Sequence, residues 1–332
     1  ILTHPFLIAA GQGHWEIITS INMPWYIWLG RIGWVGLLGI AVISPFQKQI
    51  LEFQRWRFMH NFGVIVVLVA FVHSWMAGSH LQILAMKGLW IGVLVVSLAA
   101  YAYHKVYVPA TAKAWTVTDV TPETHNVYTL TFEPPTETDF AHLPGQFRFL
   151  RLYRSGQYDG EEHPFTIASS PGGAQTTTIK ESGDFTNSIG QTQPGDEARI
   201  QGPFGRFSYV LYPEEDDLVF IAGGIGITPL MSMIRHMQDT GDDRGVTLIY
   251  ANRTTRDIVF REELDEIASG GTPDLTVVHV MSEAGDEWDG ETGHVDSDLI
   301  TRYCGSDLSG QAFYICGPPP MMDSVIDHLS GL

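Results

Sequence analysis

DLVFIAGGIGITPLMSMIRHM, residues 217–237, joins an apolar strand, a glycine-rich loop and an amphipathic helix. A glycine loop between a strand and a helix is the context that a nucleotide-phosphate loop requires. Its backbone N–H groups and the helix N-terminus favour an anion. A bare glycine turn is the alternative, and the flanking strand and helix argue against it. We therefore expect phosphate contacts from this loop and the first helical turn, at Gly223, Gly224, Gly226, Thr228 and Pro229.

The chain after residue 109 shows two different sequence patterns. VTLIYA, LTVVHVM and AFYIC are further apolar strands separated by helical or loop stretches, which predicts a doubly wound parallel sheet over residues 213–332. Before them, VYTLTF, FRFLRLY, FTIAS and TTTIK are short alternating runs bounded by proline and glycine. Such runs predict a small antiparallel β-barrel over residues 109–212.

The first 108 residues have the composition of membrane-spanning helices. Pro24–Ser44, Phe58–Met76 and Lys87–Val108 each approach the roughly 20 apolar residues needed to cross a bilayer. The loop between the first two carries Lys48, Arg55 and Arg57, so we expect that loop to face the cytoplasm. The second segment would then run outward and the third would run back in. Everything after residue 109 is therefore expected on the cytoplasmic side of a multi-pass cell-membrane protein.

Charge separates the same two regions. Residues 1–109 hold two acidic and six basic side chains, and residues 110–332 hold 35 acidic and 13 basic side chains, for net charges of +4 and −22. An acidic surface repels phosphates, which disfavours a nucleic-acid partner. Two cysteines are too few for a disulfide framework or a metal cluster.

Four motifs occur in a fixed order: PGQF (144–147), HPFT (163–166), GGIGITP (223–229) and YICGPPPMM (314–322). Here the sequence resembles the ferredoxin–NADP reductase superfamily, and HPFT is similar to the ferric reductase and NADPH oxidase branch. The resemblance implies an α-helical transmembrane bundle, then a β-barrel FAD domain, then an α/β NAD(P) domain. It also makes the chain look trimmed at both ends, because HPFLIA resembles the end of a helix and HLSGL stops where the family adds a strand.

The resemblance implies a flavin site on the barrel. Phe165 would lie against the isoalloxazine and Thr166 near its N5 edge, since a flavin needs a flat apolar face and a small hydrogen-bond donor. The segment IKESGDFTNSI would hold the pyrophosphate before a helix beginning near Thr186. The expected FAD contacts are His163, Pro164, Phe165, Thr166, Lys180, Gly183 and Thr186.

The same resemblance places hydride transfer at the end of the last strand. Cys316 would lie near the nicotinamide carbon that gives up hydride, beside Gly317 and Pro318, although a buried cysteine is also an ordinary core residue. Arg253 follows VTLIYA, where the adenosine ribose should lie, and its guanidinium would suit a 2′-phosphate. A solvated arginine is the alternative, so NADPH is preferred only weakly over NADH. Thr166 and Cys316 are the predicted catalytic residues.

Histidines in the apolar segments suggest haem b. His60 and His73 are 13 residues apart, about 20 Å in depth at ~1.5 Å per residue, although about 140° apart around an ideal helix. Ionisable residues at membrane depth are functional by default. The resembled family has such a pair, and His4 in HPFLIA would share the outer haem with His73. The inner partner of His60 is absent from the sequence. Arg31 is expected either to meet a haem propionate or to reach the interface.

The expected function is that of an NAD(P)H oxidase or ferric reductase. Electrons would pass from cytoplasmic NADPH or NADH through FAD and haem b to an extracytoplasmic small-molecule acceptor, dioxygen or ferric iron, with the lipid bilayer as the surroundings. The alternative is a membrane-anchored, haem-free flavin reductase that serves a protein electron carrier. A channel or scaffold without turnover is a third hypothesis, which intact HPFT and CGP motifs disfavour. The sequence leaves the oligomeric state open.

Overall fold

The computed structural model describes residues 3–46, 56, 59–78, 81, 83–111, 114–136, 140–154, 157–158 and 162–332. The chain forms two compact units, residues 1–110 and residues 111–332. Lys48, Arg55, Arg57 and Phe58, on which the predicted topology partly depends, lie outside the described residues.

The first unit is helical in its described part. Helix α3, Trp25–Ile43, follows Pro24, and a 3₁₀ turn, Ser44–Phe46, extends it. Arg31 of α3 donates to the backbone carbonyls of Ile17 (2.7 Å from Nη2) and Glu16 (3.3 Å), so this arginine caps the C-terminal turn of a short helix. The helices are α1 His4–Gln12, α2 Glu16–Thr19, α3 Trp25–Ile43, α4 Gly63–Ala77, α5 Leu84–Ala102 and α6 Val108–Thr111, with a π-helical segment Tyr103–Tyr107 between the last two.

Glycines allow α3 and α4 to approach closely. A Cβ on Gly30 would overlap the imidazole of His73, and a Cβ on Gly36 would come within 2.8 Å of Val66 Cγ2. Gly33, between them, is the buried residue of α3. Small residues at three-residue spacing bring two helix backbones together.

Three helices among the described residues are long and apolar enough to cross a membrane: Trp25–Phe46, Met59–Ala77 and Leu84–Tyr107. The predicted α-helical transmembrane bundle is nevertheless wrong. A bundle buries one stripe of each helix in a shared core, whereas α4 and α5 bury none of their described side chains. The described fold is instead an antiparallel barrel followed by an α/β domain with a parallel sheet, both preceded by a helical region.

The first half of the second unit is an antiparallel barrel. Leu130 and Phe132 of one strand and Leu150 and Leu152 of another are buried at every second position, as the alternating pattern predicts. Hydrogen-bonded neighbours run in the order β4-β3-β7-β1-β2-β6, with β5 also on β3. The Ala168 amide, just after β5, donates to Thr176 of β6 (3.1 Å) and closes the ring. The strands are β1 Ala114–Thr124, β2 Val127–Glu133, β3 Phe147–Arg154, β4 Gln157–Tyr158, β5 His163–Thr166, β6 Gln175–Lys180 and β7 Glu197–Phe204.

The second half is a parallel sheet of order β11-β10-β9-β8-β12 with helices between the strands. The central strand β8 is buried over Leu218–Gly223, because it is covered on both faces. α7 ends at Gly241, whose φ is 68°, and Asp242 N donates to Met237 O (2.8 Å), a glycine-terminated helix end. The elements are β8 Asp217–Gly223, α7 Ile227–Thr240, β9 Gly245–Asn252, α8 Arg261–Gly270, β10 Asp274–Met281, β11 Glu291–Thr292, α9 Ser297–Cys304, β12 Gln311–Cys316 and α10 Pro319–Ser330.

Candidate flavin and nucleotide site

β5 carries the predicted flavin residues and is fixed by its pairing with β3. Thr166 lies opposite Phe147, and Phe165 lies opposite Arg148. The Phe165 ring is half-buried against the barrel core, while Pro164 is exposed. The ring of His163 stacks on Phe185 at 4.2 Å between centroids. The HPFT strand therefore offers a row of flat rings beside one threonine hydroxyl, which is the chemistry that an isoalloxazine needs.

The predicted pyrophosphate segment leaves room for a ligand. Lys180 ends β6, and a Cβ built on Gly183 would meet no atom within 4 Å. Thr186 Oγ1 accepts from the Ser182 amide (2.9 Å) and donates to the Gly183 carbonyl (3.3 Å). The helix expected to begin near Thr186 is a 3₁₀ segment, Thr186–Gln191, so it has little macrodipole to offer an anion. Any diphosphate held here would depend on Lys180 and on the backbone of the open loop.

PGQF has a tertiary role that the sequence did not indicate. Gly145 has a φ of 89°, and a Cβ there would overlap the Phe207 carbonyl and come within 2.5 Å of Met233 Cε on α7. Gln146 accepts from the Leu143 amide (2.8 Å) and donates to the Gly205 carbonyl (2.9 Å). This motif therefore shapes the junction between the barrel and the parallel sheet.

The glycine loop lies directly against the end of β12. A Cβ on Gly226 would overlap the Cys316 carbonyl, and a Cβ on Gly223 would overlap Met321 Sδ. Gly224 has a φ of 52° and open space where a Cβ would be. Thr228 Oγ1 donates to the Ile225 carbonyl (3.1 Å), and Thr228 and Pro229 are buried in the first turn of α7. Packing therefore requires glycine at positions 223 and 226. At Gly224 the space where a Cβ would lie is empty, so the loop is open on that side.

Cys316 is in register with Ala222, one residue before the glycine loop. Burial raises the pKa of its thiol above the ordinary value, so the group is protonated at neutral pH. The backbone of Gly317 and the ring of Pro318 contact Gly223. The structure therefore brings the predicted nucleotide loop and the predicted hydride-transfer strand together at one edge of the sheet.

α7 connects this edge to the segment that follows β5, the strand with the predicted flavin residues (called the flavin strand below). Ser232 Oγ donates to the Ser169 carbonyl (2.7 Å) and accepts from the Gly145 amide (3.3 Å). Arg235 Nη1 donates to the Ala168 carbonyl (2.6 Å), and both its Nε and Nη2 bond the Glu263 carboxylate. Sequence reasoning missed these two residues. They carry no motif, and only their spacing on the buried face of α7 could have indicated them.

Arg253, at the predicted ribose position, is paired with the carboxylate of Glu283. Its Nε and Nη2 donate to Glu283 Oε1 (3.0 and 2.6 Å), and the Glu283 amide donates to the Arg253 carbonyl (2.8 Å). The hydrogen bonds that Arg253 donates to the Glu283 carboxylate raise the pKa of Arg253 above its ordinary value. An acid therefore faces the guanidinium that was expected to bind a 2′-phosphate.

The three predicted haem ligands occupy different settings. His73 Nδ1 lies 2.7 Å from the Tyr26 carbonyl, and its ring packs on Gly30. The ring of His60 stacks on Trp56 at 4.8 Å, and His4 is exposed at the start of α1. Within the described ranges, no cluster of three or more His, Cys, Asp or Glu side chains could hold a metal ion. Their role as ligands stays a prediction.

Family models match both halves of the second unit. Residues 114–209 match the oxidoreductase FAD-binding domain, and residues 220–327 match the oxidoreductase NAD-binding domain. The chain is thus an FAD- and NAD(P)H-dependent oxidoreductase.

Individual relatives are electron-supplying reductases. The chain is 34% identical over 235 residues to a glycine betaine monooxygenase reductase subunit of Chromohalobacter salexigens, covering 65% of this chain and 62% of that protein. It is 32% identical over 215 residues to NADH–cytochrome b5 reductase 1 of Arabidopsis thaliana, covering 63% and 75%. The cytochrome b5 reductase domain of Ulva prolifera nitrate reductase has the same fold, with a TM-score of 0.59 at 23% identity, covering 67% and 93%.

These findings correct the expectation that the chain belongs to the ferric reductase and NADPH oxidase branch. The matched models describe FAD and NAD domains, and neither is a ferric reductase transmembrane model. The resemblance to the ferric reductase and NADPH oxidase branch was wrong, because the FAD and NAD motifs also match reductases outside that branch. The chain belongs to the family of flavin reductases that join an oxidoreductase FAD-binding domain to an oxidoreductase NAD-binding domain, the family of the NADH–cytochrome b5 reductases.

Proposed function

We propose that this protein is a membrane-anchored reductase that takes electrons from NADH and delivers them through FAD to a carrier protein. The observation that carries the proposal is the course of α7. Its first turn follows the glycine loop, and its middle contacts Ala168 and Ser169, which directly follow the HPFT strand. One rigid helix thus fixes the nucleotide end of the sheet relative to the flavin strand, as hydride transfer between two bound cofactors requires.

FAD would accept two electrons together and release them singly. Around it, the Phe165 ring would supply an apolar plane and the Thr166 hydroxyl a hydrogen-bond donor. The protonated Cys316 thiol would present a compact, uncharged surface at the nicotinamide, and the peptide of Gly317 would allow the ring to approach closely. Each of these groups positions a reactant, and none needs to exchange a proton.

The acceptor we propose is a protein. The relatives are named as reductases of a monooxygenase and of cytochrome b5, which favours a protein carrier over dioxygen or ferric iron. With a net charge of −22 after residue 109, the reductase would associate best with a carrier that has a basic docking face, or in high salt.

NADH is the proposed nucleotide. A 2′-phosphate at the carboxyl end of β9 would meet the Glu283 carboxylate, which already occupies the Arg253 guanidinium. A free ribose hydroxyl could instead donate to that carboxylate.

Membrane anchoring rests on the helical unit. Three helices among the described residues are long and apolar enough to span a bilayer. The basic side chains at positions 48, 55 and 57 favour a cytoplasmic position for the FAD and NAD(P) domains. Resistance to extraction from membranes by alkaline carbonate would support anchoring, and release into the supernatant would contradict it.

An acceptor panel tests the proposed function. Purified protein with FAD would be supplied with NADH in high salt, which screens the repulsion between acidic surfaces, and, separately, with ferredoxin, cytochrome b5, dioxygen and ferric citrate. We expect NADH oxidation to accelerate with a carrier protein and to stay near background with the small molecules. Faster turnover with dioxygen or ferric iron than with every carrier would overturn the proposal.

A further inference from the structure

Arg148 is an arginine with no solvent exposure in the interior of the FAD barrel. It lies on β3, directly opposite Phe165. Its Nε and Nη2 donate to Thr177 Oγ1 (2.9 and 2.6 Å), and its Nη1 is 3.5 Å from Gln175 Oε1. The guanidinium also lies over the Phe132 ring, 4.8 Å from its centroid. In the part of the chain that the structure describes, no carboxylate pairs with it.

A buried cation of this kind is costly to the protein on its own. Hydroxyl and amide oxygens satisfy some of its N–H groups, but they do not offset the charge. Burial lowers the pKa of Arg148 to about 9, so the side chain is still charged at neutral pH. An anionic ligand close to this cation would supply the missing counter-charge.

The neighbouring strand points to that anion. Thr177 lies on β6 three residues before Lys180, roughly 10 Å along the strand. Lys180 and Gly183 begin the open loop described above, and at neutral pH the charge of oxidised FAD resides on its diphosphate. We propose that Arg148 is a buried counter-charge for the FAD diphosphate, which acts through the barrel wall and makes the domain depend on its cofactor.

This inference rests on the proposed flavin function, because it assumes that FAD binds at β5 and β6. If the Thr177–Lys180 spacing of ~10 Å is taken as the separation of the charges, with an effective dielectric constant near 20, attraction to one unit of charge corresponds to roughly tenfold in a dissociation constant. The loss of Arg148 should therefore weaken binding of FAD but not of riboflavin, which has the same ring and no phosphate.

The test uses the full-length protein, stripped of flavin, with Arg148→Met, Arg148→Lys and the exposed charge-loss control Arg206→Met. Dissociation constants for FAD and riboflavin are measured by flavin fluorescence, and thermal unfolding is followed without flavin and with saturating FAD. We expect Arg148→Met to bind FAD at least about tenfold more weakly and riboflavin within twofold of wild type. Its flavin-free form should be at least as stable as wild type, because an apolar side chain replaces an unpaired charge. Arg148→Lys should retain most of the FAD affinity.

Several outcomes would overturn the inference. Equal weakening of FAD and riboflavin, or equal loss of stability with and without FAD, would make Arg148 a packing residue. If Arg148→Met does not fold, the lysine variant decides, since loss of FAD affinity despite a retained charge also contradicts the proposal. An effect of Arg206→Met as large as that of Arg148→Met would show only a general dependence on net charge. Failure of wild-type protein to bind FAD would instead refute the proposed function.

Discussion

At the scale of single residues, the candidate chemistry rests on two small groups, the Thr166 hydroxyl and the Cys316 thiol. Thr166 ends the flavin strand, in register with Phe147. Cys316 ends the strand that packs on the glycine loop. Both were predicted from motifs, and their catalytic roles stay predictions.

We expect Thr166→Val to slow flavin reduction by NADH about ten- to hundredfold, because valine keeps the shape and removes the hydrogen-bond donor. Thr166→Ser keeps the hydroxyl and is the matched control. Stopped-flow bleaching of the flavin measures the rate. Equal rates in wild type and the valine variant would remove Thr166 from the reaction.

Cys316→Ala should keep nucleotide affinity and slow hydride transfer several-fold, since the smaller side chain leaves the nicotinamide less well positioned. Cys316→Ser restores most of the volume and should be less impaired. Because burial holds the pKa of the thiol above its ordinary value, the wild-type rate should show no thiol ionisation between pH 6 and 8. An unchanged rate in the alanine variant would return Cys316 to a packing role.

Glu283→Gln should raise the efficiency with NADPH relative to NADH by roughly tenfold, because it frees the Arg253 guanidinium for a 2′-phosphate. The ratio of the two kcat/KM values is the measurement. In the double variant with Arg253→Met, this gain should disappear. A ratio unmoved by Glu283→Gln would place the ribose elsewhere.

At the scale of elements, patterns of burial were predictable and tertiary contacts were not. The buried run of β8 and the two-residue alternation of β3 could be predicted from the sequence, because each strand's pattern reflects what covers it. The position of Gly145 against Phe207 and Met233 could not, since it depends on residues 62 and 88 positions away. The helix expected to begin near Thr186 is a 3₁₀ segment. Six residues are too few for the sequence to distinguish an α-helix from a 3₁₀ helix.

Gly226→Ala tests the contact between the glycine loop and β12. A methyl group would overlap the Cys316 carbonyl, so we expect a loss of about 1–3 kcal/mol in the free energy of unfolding, as overpacking typically costs. NADH affinity should fall with it, because the loop must move. Gly285→Ala is the control, since a Cβ there has open space. Denaturant unfolding checks the pair, and equal stabilities would show that the loop yields freely.

At the scale of the whole molecule, composition predicted the helices of the first unit, and sequence motifs predicted the cofactors of the second. Apolar segments correctly predicted long helices, but helix length and hydropathy do not specify a haem-binding bundle. His60 and His73 illustrate the limit: their spacing fits two haems, while His73 packs on Gly30 and bonds the Tyr26 carbonyl. The domains after residue 110 carried more specific motifs, and there the sequence predicted the cofactors, FAD and NAD(P)H.

The visible spectrum of the purified full-length protein during anaerobic titration with NADH, followed by addition of a carrier protein, shows whether electrons pass from NADH through flavin to the carrier. We expect flavin bands alone, which bleach with NADH and recover when the carrier is added and itself becomes reduced. A sharp reduced-haem band that grows in with NADH before any carrier is present, together with flavin that the carrier cannot reoxidise, would contradict this expectation.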